Sequence, residues 1–209
     1  MHLFVLLGLA GCAPPSAAVG SVVGSGLDGE VGGPAMDAMP RPLPMTLWGG
    51  AVLEQRHGAV MLVQEGEVVQ TVSGALADEP AASANGRVVA LSVTAGIHEA
   101  LLTFSVRDDR WESRTWIQGV HTVTRLGMDG AGERLAFVWP GPTGGVSALY
   151  LLDLGNPEAA PQRLTNRGPR APGQPPADFV ALPIREPPYF EGPMLRWPAQ
   201  DGPHAVELR

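Results

Sequence analysis

The sequence has no lysine, only one cysteine and no apolar run long enough to cross a bilayer as a helix. Its 14 basic residues are therefore all arginines, and 21 acidic residues outnumber them to give a formal net charge of −7. This balance does not predict a nucleic-acid binder, because contacts with phosphates need a basic surface. A single thiol also excludes a disulfide within the chain.

Helical periodicity is missing as well. No part of the sequence keeps apolar residues at positions i, i+3, i+4 and i+7 over several turns. The 27 glycines and 21 prolines among 209 residues are too frequent for helix interiors, where both residue types are unfavourable. These absences exclude a helical bundle and favour a β-fold with many turns.

The N-terminus contains a short apolar run that ends in small residues and the only cysteine. The run covers residues 3–10 and leads into Leu9-Ala10-Gly11-Cys12. Such a run is typical of a secretory signal rather than of a membrane span. The motif resembles the lipobox of bacterial lipoproteins, and the resemblance implies that residues 1–11 are a signal peptide and that Cys12 carries the lipid. The alternative is a buried N-terminal strand with a free thiol.

Residues 12–45 are rich in alanine, glycine, serine and proline. A segment of this composition buries little surface, so we predict a lipidated, flexible tether. The lipoprotein resemblance implies a lipid-anchored location in the bacterial cell envelope, facing the periplasm or the cell surface. In enteric bacteria an aspartate after the lipidated cysteine retains the protein in the inner membrane. Here that residue is Ala13, which favours the outer membrane.

Short apolar segments separated by turn residues fill residues 46–209. The pattern predicts strands at residues 59–63, 67–72, 87–93, 100–106 and 113–117, and a C-terminal hairpin at about residues 190–209. Glu65-Gly66 and Asp108-Asp109 are the expected turns. This arrangement is typical of an all-β domain.

The chain also repeats itself. Three segments recur in the same order, namely residues 86–92 and 132–138, residues 100–106 and 148–154, and residues 115–118 and 162–165. The two copies, at about residues 83–124 and 125–168, have a period of about 47 residues, which is typical of propeller blades. Equivalent buried positions are expected for Val89 and Leu135, and for Leu101 and Leu149.

The second copy resembles a known family. Residues 129–137 and 162–165 are similar to the opening and closing strands of TolB-like β-propeller repeats, a WD40-like type of repeat. The resemblance implies that residues 46–209 form a propeller-like array of about three to four antiparallel blades, open or partial. It carries over no binding residue, because Gly130 and Ala131 replace the family's proline and aspartate in the opening turn.

Candidate catalytic groups are scattered. The histidines beyond the signal segment are His57, His98, His121 and His204, and their spacing fits no metal site. Paired carboxylates, Asp108 with Asp109 and Glu65 with Glu67, lie at predicted turns, where a solvated surface role is expected. Blade cores are the expected location of the five tryptophans, Trp48, Trp111, Trp116, Trp139 and Trp197. We therefore predict no catalytic residue, no metal and no cofactor.

These features predict a non-catalytic, envelope-anchored lipoprotein whose propeller-like domain mediates protein or peptide interaction. The expected partners are the membrane, through the lipid, and an envelope protein or peptide, but no nucleic acid. The sequence leaves two alternatives open. One is a non-catalytic fragment of a larger secreted enzyme such as a cell-wall peptidase, and the other is a β-sandwich module that binds a cell-wall glycan.

Overall fold

The computed structural model describes residues 43–165, 186–199 and 202–208, all within the compact unit Pro34–Arg209. Here the chain forms β-strands and a short 3₁₀ turn, Trp48–Gly50. The strands are β1 (Met45–Thr46), β2 (Val52–Arg56), β3 (Ala59–Gln64), β4 (Glu67–Ser73), β5 (Ala75–Leu76), β6 (Ala81–Ala82), β7 (Val88–Ala95), β8 (His98–Arg107), β9 (Arg110–Gly119), β10 (Thr124–Met128), β11 (Arg134–Trp139), β12 (Ala148–Asp153), β13 (Gln162–Arg163), β14 (Tyr189–Glu191), β15 (Met194–Ala199) and β16 (Gly202–Glu207). No helix in these ranges is long and apolar enough to span a membrane.

The strands form four antiparallel sheets, each built from strands that follow one another along the chain. Sheet 1 has the order β1-β2-β3-β4, and sheet 2 has the order β5-β7-β8-β9 with β6 also paired to β7. Sheet 3 has the order β10-β11-β12-β13, and sheet 4 has the order β14-β15-β16. The predicted fold class is confirmed: the domain is all-β, with blade-like antiparallel sheets of three to five strands.

Tight turns join the strands at the predicted places. Glu65 and Gly66, between β3 and β4, have φ angles of 53° and 84°. Asp108 and Asp109, between β8 and β9, have φ angles of 48° and 57°. Two consecutive residues with positive φ define the type I′ turn, whose twist matches that of the flanking strands. Glycine and aspartate are among the residues that tolerate this conformation.

Three clusters of buried side chains join successive sheets. The cluster between sheets 1 and 2 includes Leu53, Leu62, Val89, Leu91 and Phe104. The cluster between sheets 2 and 3 includes Leu101, Ile117, Leu135, Phe137 and Leu152. The cluster between sheets 3 and 4 includes Leu149, Phe190, Leu195 and Trp197. Sheets 2 and 3 therefore bury both faces, which explains why the central strands β7 and β11 are apolar almost throughout.

The positions that the repeat predicts to be equivalent have equivalent surroundings. Val89 and Leu135 each lie on the second strand of their sheet, opposite the last residue of the short strand before it. Both are fully buried against the preceding sheet. Leu101 and Leu149 lie on the third strands, β8 and β12, and are fully buried against the following sheet. Sheets 2 and 3 are thus two copies of one packing unit.

The folded part begins slightly earlier than the composition indicates. Met45 is buried and pairs with Leu53, and Leu43 packs against the cluster between sheets 1 and 2. The tether was predicted to extend to residue 45, because proline-rich sequence usually buries little surface. Here the last residue of that segment, Met45, begins the first strand of sheet 1.

One bulge distinguishes the two copies. On sheet 2, Leu101 pairs with Ile117 and Leu102 pairs with Thr115, which leaves Trp116 as an extra residue on β9. In sheet 3, β12 meets β13 without an extra residue at the corresponding place. The bulge lets Trp116 and its neighbour Ile117 both contact the cluster between sheets 2 and 3, although successive side chains of a regular strand face opposite sides.

Candidate functional site

Two open cavities lie along the seam between sheets 2 and 3, and Trp116 is a wall of both. We call the pair the seam site. Its apolar cavity has a volume of about 270 Å³ and includes Trp116, Val120, His121, Trp139, Pro142 and Pro161 in its lining. Its polar cavity has a volume of about 310 Å³ and includes Thr103, Ser105, Arg107, Glu112, Arg114 and Trp116. The site therefore joins a mainly apolar surface to a surface with charged groups.

The two tryptophans of the apolar cavity are held in place by the protein itself. The Trp116 indole N–H donates to Thr103 Oγ1 at 3.0 Å, and the Trp139 indole N–H donates to the His121 carbonyl oxygen at 3.2 Å. The Trp139 ring also packs edge-on against Tyr150, with ring centroids 5.3 Å apart. Because both indole N–H groups have partners, the rings offer apolar surface rather than hydrogen-bond donors to a ligand.

A crossing segment, residues 120–123, leads from sheet 2 to sheet 3 and forms one wall of the apolar cavity. Three side chains fasten it. The fully buried Ser92 donates through Oγ to the Val123 carbonyl oxygen at 2.6 Å. Thr122 Oγ1 donates to Glu99 Oε1. The Trp139 indole N–H donates to the His121 carbonyl oxygen. These bonds fix the wall before any ligand binds.

The loop between β11 and β12 forms the wall of the apolar cavity on the side of sheet 3. Gly144 has a φ of 74°, and a Cβ atom there would lie 3.0 Å from His121 Cε1. The loop can approach the imidazole ring this closely only because residue 144 lacks a side chain. Pro142 in the same loop lines the cavity.

The polar cavity is built on the β8–β9 hairpin. The antiparallel register places Arg107 opposite Arg110, Ser105 opposite Glu112, and Thr103 opposite Arg114. The Arg114 guanidinium lies 4.4 Å from the centroid of the Trp116 ring and donates to the Pro157 carbonyl oxygen across the seam. With two arginines and one glutamate in its lining, the cavity is locally positive in a chain of net charge −7.

Most of the polar residues that the sequence singles out lie apart from one another. His57 belongs to the β2–β3 turn, His98 begins β8, and His204 stacks on Trp197 with ring centroids 5.7 Å apart. His121 lines the apolar cavity. Among the described residues, no three histidine, cysteine, aspartate or glutamate side chains lie close enough together to hold a metal ion.

The predicted acidic pairs lie on the surface. Glu65 and Glu67 are exposed at the β3–β4 turn, and Asp108 and Asp109 are exposed at the β8–β9 turn. Asp109 lies 3.6 Å from an Arg87 guanidinium nitrogen, in an ion pair whose carboxylate is 81% exposed. Cys12, the predicted lipidation site, lies outside the described residues.

The tryptophans differ in location. Trp111, Trp139 and Trp197 are buried in the three clusters, in agreement with the expectation that tryptophans fill the cores. Trp116 departs from it, because it is partly exposed and lines both cavities of the seam site. The sequence placed Trp116 with the core tryptophans because the β9 bulge, which depends on pairing with β8, has no local signature.

No family model and no curated protein matches the chain. Among solved structures, the chain is similar to TolB from Acinetobacter baumannii, with 13% sequence identity and a TM-score of 0.31. The match covers 75% of this chain and 48% of that structure, so the chain spans about half the length of TolB. The likeness is a distant one between β-domains and transfers no residue role.

Proposed function

We propose that the domain is a non-catalytic binding module that holds an extended segment of another protein at the seam site. We further propose that a lipid on Cys12 presents this module in the cell envelope. The observation that carries the binding role is the apolar cavity, where two ring systems, Trp116 and Trp139, are fixed in place beside two prolines.

Binding fits the chemistry of this cavity better than catalysis does. Tryptophans that are rigid before association are typical energetic centres of protein interfaces, because little side-chain freedom is lost on binding. Of the described residues that line the apolar cavity, only His121 is titratable. A catalytic site needs an acid, base or nucleophile aimed at a reacting atom together with a group that orients it. The His121 ring instead packs against the backbone of Gly144.

The test uses the full chain in detergent micelles and a library of random peptides displayed on phage. We expect the selected peptides to bind the wild-type protein and to bind Trp116→Ala at least about tenfold more weakly. The matched control is Trp48→Ala. Trp48 is also partly buried beneath an arginine, with the Arg87 guanidinium 4.7 Å from its ring centroid, but it packs beside the cluster between sheets 1 and 2.

A milder pair of variants covers the case in which Trp116→Ala fails to fold. Val120, at the edge of the apolar cavity, is 60% exposed, and Val68, on sheet 1, is 55% exposed. Val120→Asn should weaken peptide binding, whereas Val68→Asn should leave it unchanged. Equal affinities for Val120→Asn, Val68→Asn and wild type would contradict the proposal. The proposal would also be contradicted if the wild-type protein were retained on isolated cell-wall glycan and Val120→Asn abolished that retention. This result would favour the glycan-binding alternative.

A further inference from the structure

We infer that the segment bound at the seam site is acidic and proline-containing, with a carboxylate in the polar cavity and a proline ring in the apolar cavity next to it. This inference rests on the proposed function and names its ligand class. It is drawn from the juxtaposition of Arg107 and Arg114 with Trp116 and Trp139 along one seam.

The apolar cavity has the composition of a proline-binding groove. Its lining includes the partly exposed Trp116, the edge of the buried Trp139, and two prolines, Pro142 and Pro161. Grooves lined by aromatic rings bind proline-rich segments, which adopt their extended conformation before binding and lose little entropy. The cavity has a volume of about 270 Å³ and is open to solvent. It can therefore take part of a longer chain whose remainder stays outside.

The polar cavity selects the charge of that chain. Its lining contains two positively charged residues, Arg107 and Arg114, and one negatively charged residue, Glu112. The protein as a whole carries a net charge of −7. Arg114 is immobilised by the Trp116 ring and by its bond to the Pro157 carbonyl oxygen. A guanidinium has five N–H donors, so this bond leaves donors that a carboxylate can accept. A positive site on an acidic protein is complementary to an anionic group.

The two cavities adjoin, because Trp116 lines both of them. The Arg114 guanidinium lies 4.4 Å from the centroid of the Trp116 ring. An extended chain advances about 3.1–3.4 Å per residue. A carboxylate that meets Arg114 and a proline that meets Trp116 are therefore expected to be adjacent or nearly adjacent in the peptide.

Four fluorescein-labelled octapeptides test the inference against the full chain in detergent micelles. They have the repeats Glu-Pro, Gln-Pro, Glu-Ala and Lys-Pro, and binding is measured by fluorescence anisotropy. We expect the Glu-Pro peptide to bind about tenfold more tightly than the Gln-Pro peptide, because a hydrogen bond to a charged group is stronger than a neutral one. The Glu-Ala peptide should bind more weakly than Glu-Pro, and the Lys-Pro peptide should bind the most weakly.

Two arginine variants locate the charge effect. Arg114→Gln should bring the affinities for Glu-Pro and Gln-Pro close together, while Arg56→Gln, whose exposed side chain lies on sheet 1, should leave their ratio unchanged. Equal binding of Glu-Pro and Gln-Pro by wild type, an unchanged ratio in Arg114→Gln, or preference for Lys-Pro would overturn the inference. If Trp116→Ala or Val120→Asn still weakened peptide binding in those cases, the proposed function would stand and only the ligand class would be wrong. If neither variant affected the binding of any peptide, the proposed function itself would fail.

Discussion

The contact between sheets 3 and 4 is best tested at Leu149. This side chain is fully buried and belongs to the cluster that contains Phe190, Leu195 and Trp197 of sheet 4. Its backbone is held at both polar groups, since the Leu149 carbonyl oxygen accepts from the Leu164 N–H at 2.8 Å and the Leu149 N–H donates to a threonine hydroxyl at 2.9 Å. The strand therefore cannot move inward to fill space that a smaller side chain would leave.

Leu149→Ala removes three carbon atoms from this cluster. At about 0.8 kcal/mol for each buried methylene, the lost transfer free energy alone is about 2.4 kcal/mol. A cavity term adds to it when the walls cannot collapse, and leucine-to-alanine changes in cores cost about 2–5 kcal/mol in total. Because the rings of Phe190 and Trp197 are rigid walls, we expect a loss of about 3 kcal/mol in the free energy of unfolding.

Urea unfolding followed by tryptophan fluorescence measures this loss. The slope of the free energy against urea should stay constant, because the surface exposed on unfolding hardly changes. Val68→Ala is the control, since this valine is 55% exposed and its loss should stay within about 0.5 kcal/mol. A loss below about 0.5 kcal/mol for Leu149→Ala would refute the packing of sheet 4 on sheet 3.

The remaining predictions concern a glycine turn and the anchor. Gly132→Ala should lower the free energy of unfolding more than Gly66→Ala does. Both glycines have a positive φ, a conformation that costs an alanine about 1–2 kcal/mol. Only at Gly132 would the new Cβ atom also meet a neighbour, Val88 Cγ2 at 2.9 Å. Equal losses in urea unfolding would disprove the close approach of sheets 2 and 3 there. Cys12→Ser should move the protein from the membrane fraction to the soluble one, or leave an uncleaved precursor, because stable anchoring requires acyl chains on the cysteine. Mature Cys12→Ser protein that stayed with membranes would contradict the lipoprotein assignment.

Local sequence was sufficient for features that depend on near neighbours. The turn that precedes β7 and the turn that precedes β11 keep the same hydrogen bond although their residues differ. Val88 N–H donates to Ser83 Oγ at 3.0 Å, and Arg134 N–H donates to Asp129 Oδ1 at 3.1 Å. Serine and aspartate side chains can both accept a hydrogen bond from the backbone of a turn. The repeat could therefore be recognised in the sequence although Ser83 in one copy corresponds to Asp129 in the other.

Features that depend on distant partners were not predictable in this way. The two-residue strands β5 and β6 are too short to show any periodicity, and they count as strands only because the longer strand β7 pairs with them. β14, Tyr189–Glu191, likewise escaped the sequence pattern, because only Phe190 of its three residues is buried. The C-terminal hairpin was predicted, but its third strand was not.

The seam site lies where the two copies stop being alike, and prolines account for much of the difference. Sheet 2 joins β7 to β8 by a tight turn, whereas sheet 3 has a loop at residues 140–147 that contributes Pro142 to the apolar cavity. Sheet 2 starts the long strand β9 at Arg110, whereas residues 154–161 of sheet 3 form a loop that supplies Pro157 and Pro161. Proline has no N–H to donate and cannot continue a ladder, so the strand gives way to a loop. Insertions between the strands of a repeat form loops on one face, which is often the binding face, so prolines that interrupt only one of the two copies are a signal that the sequence analysis did not use.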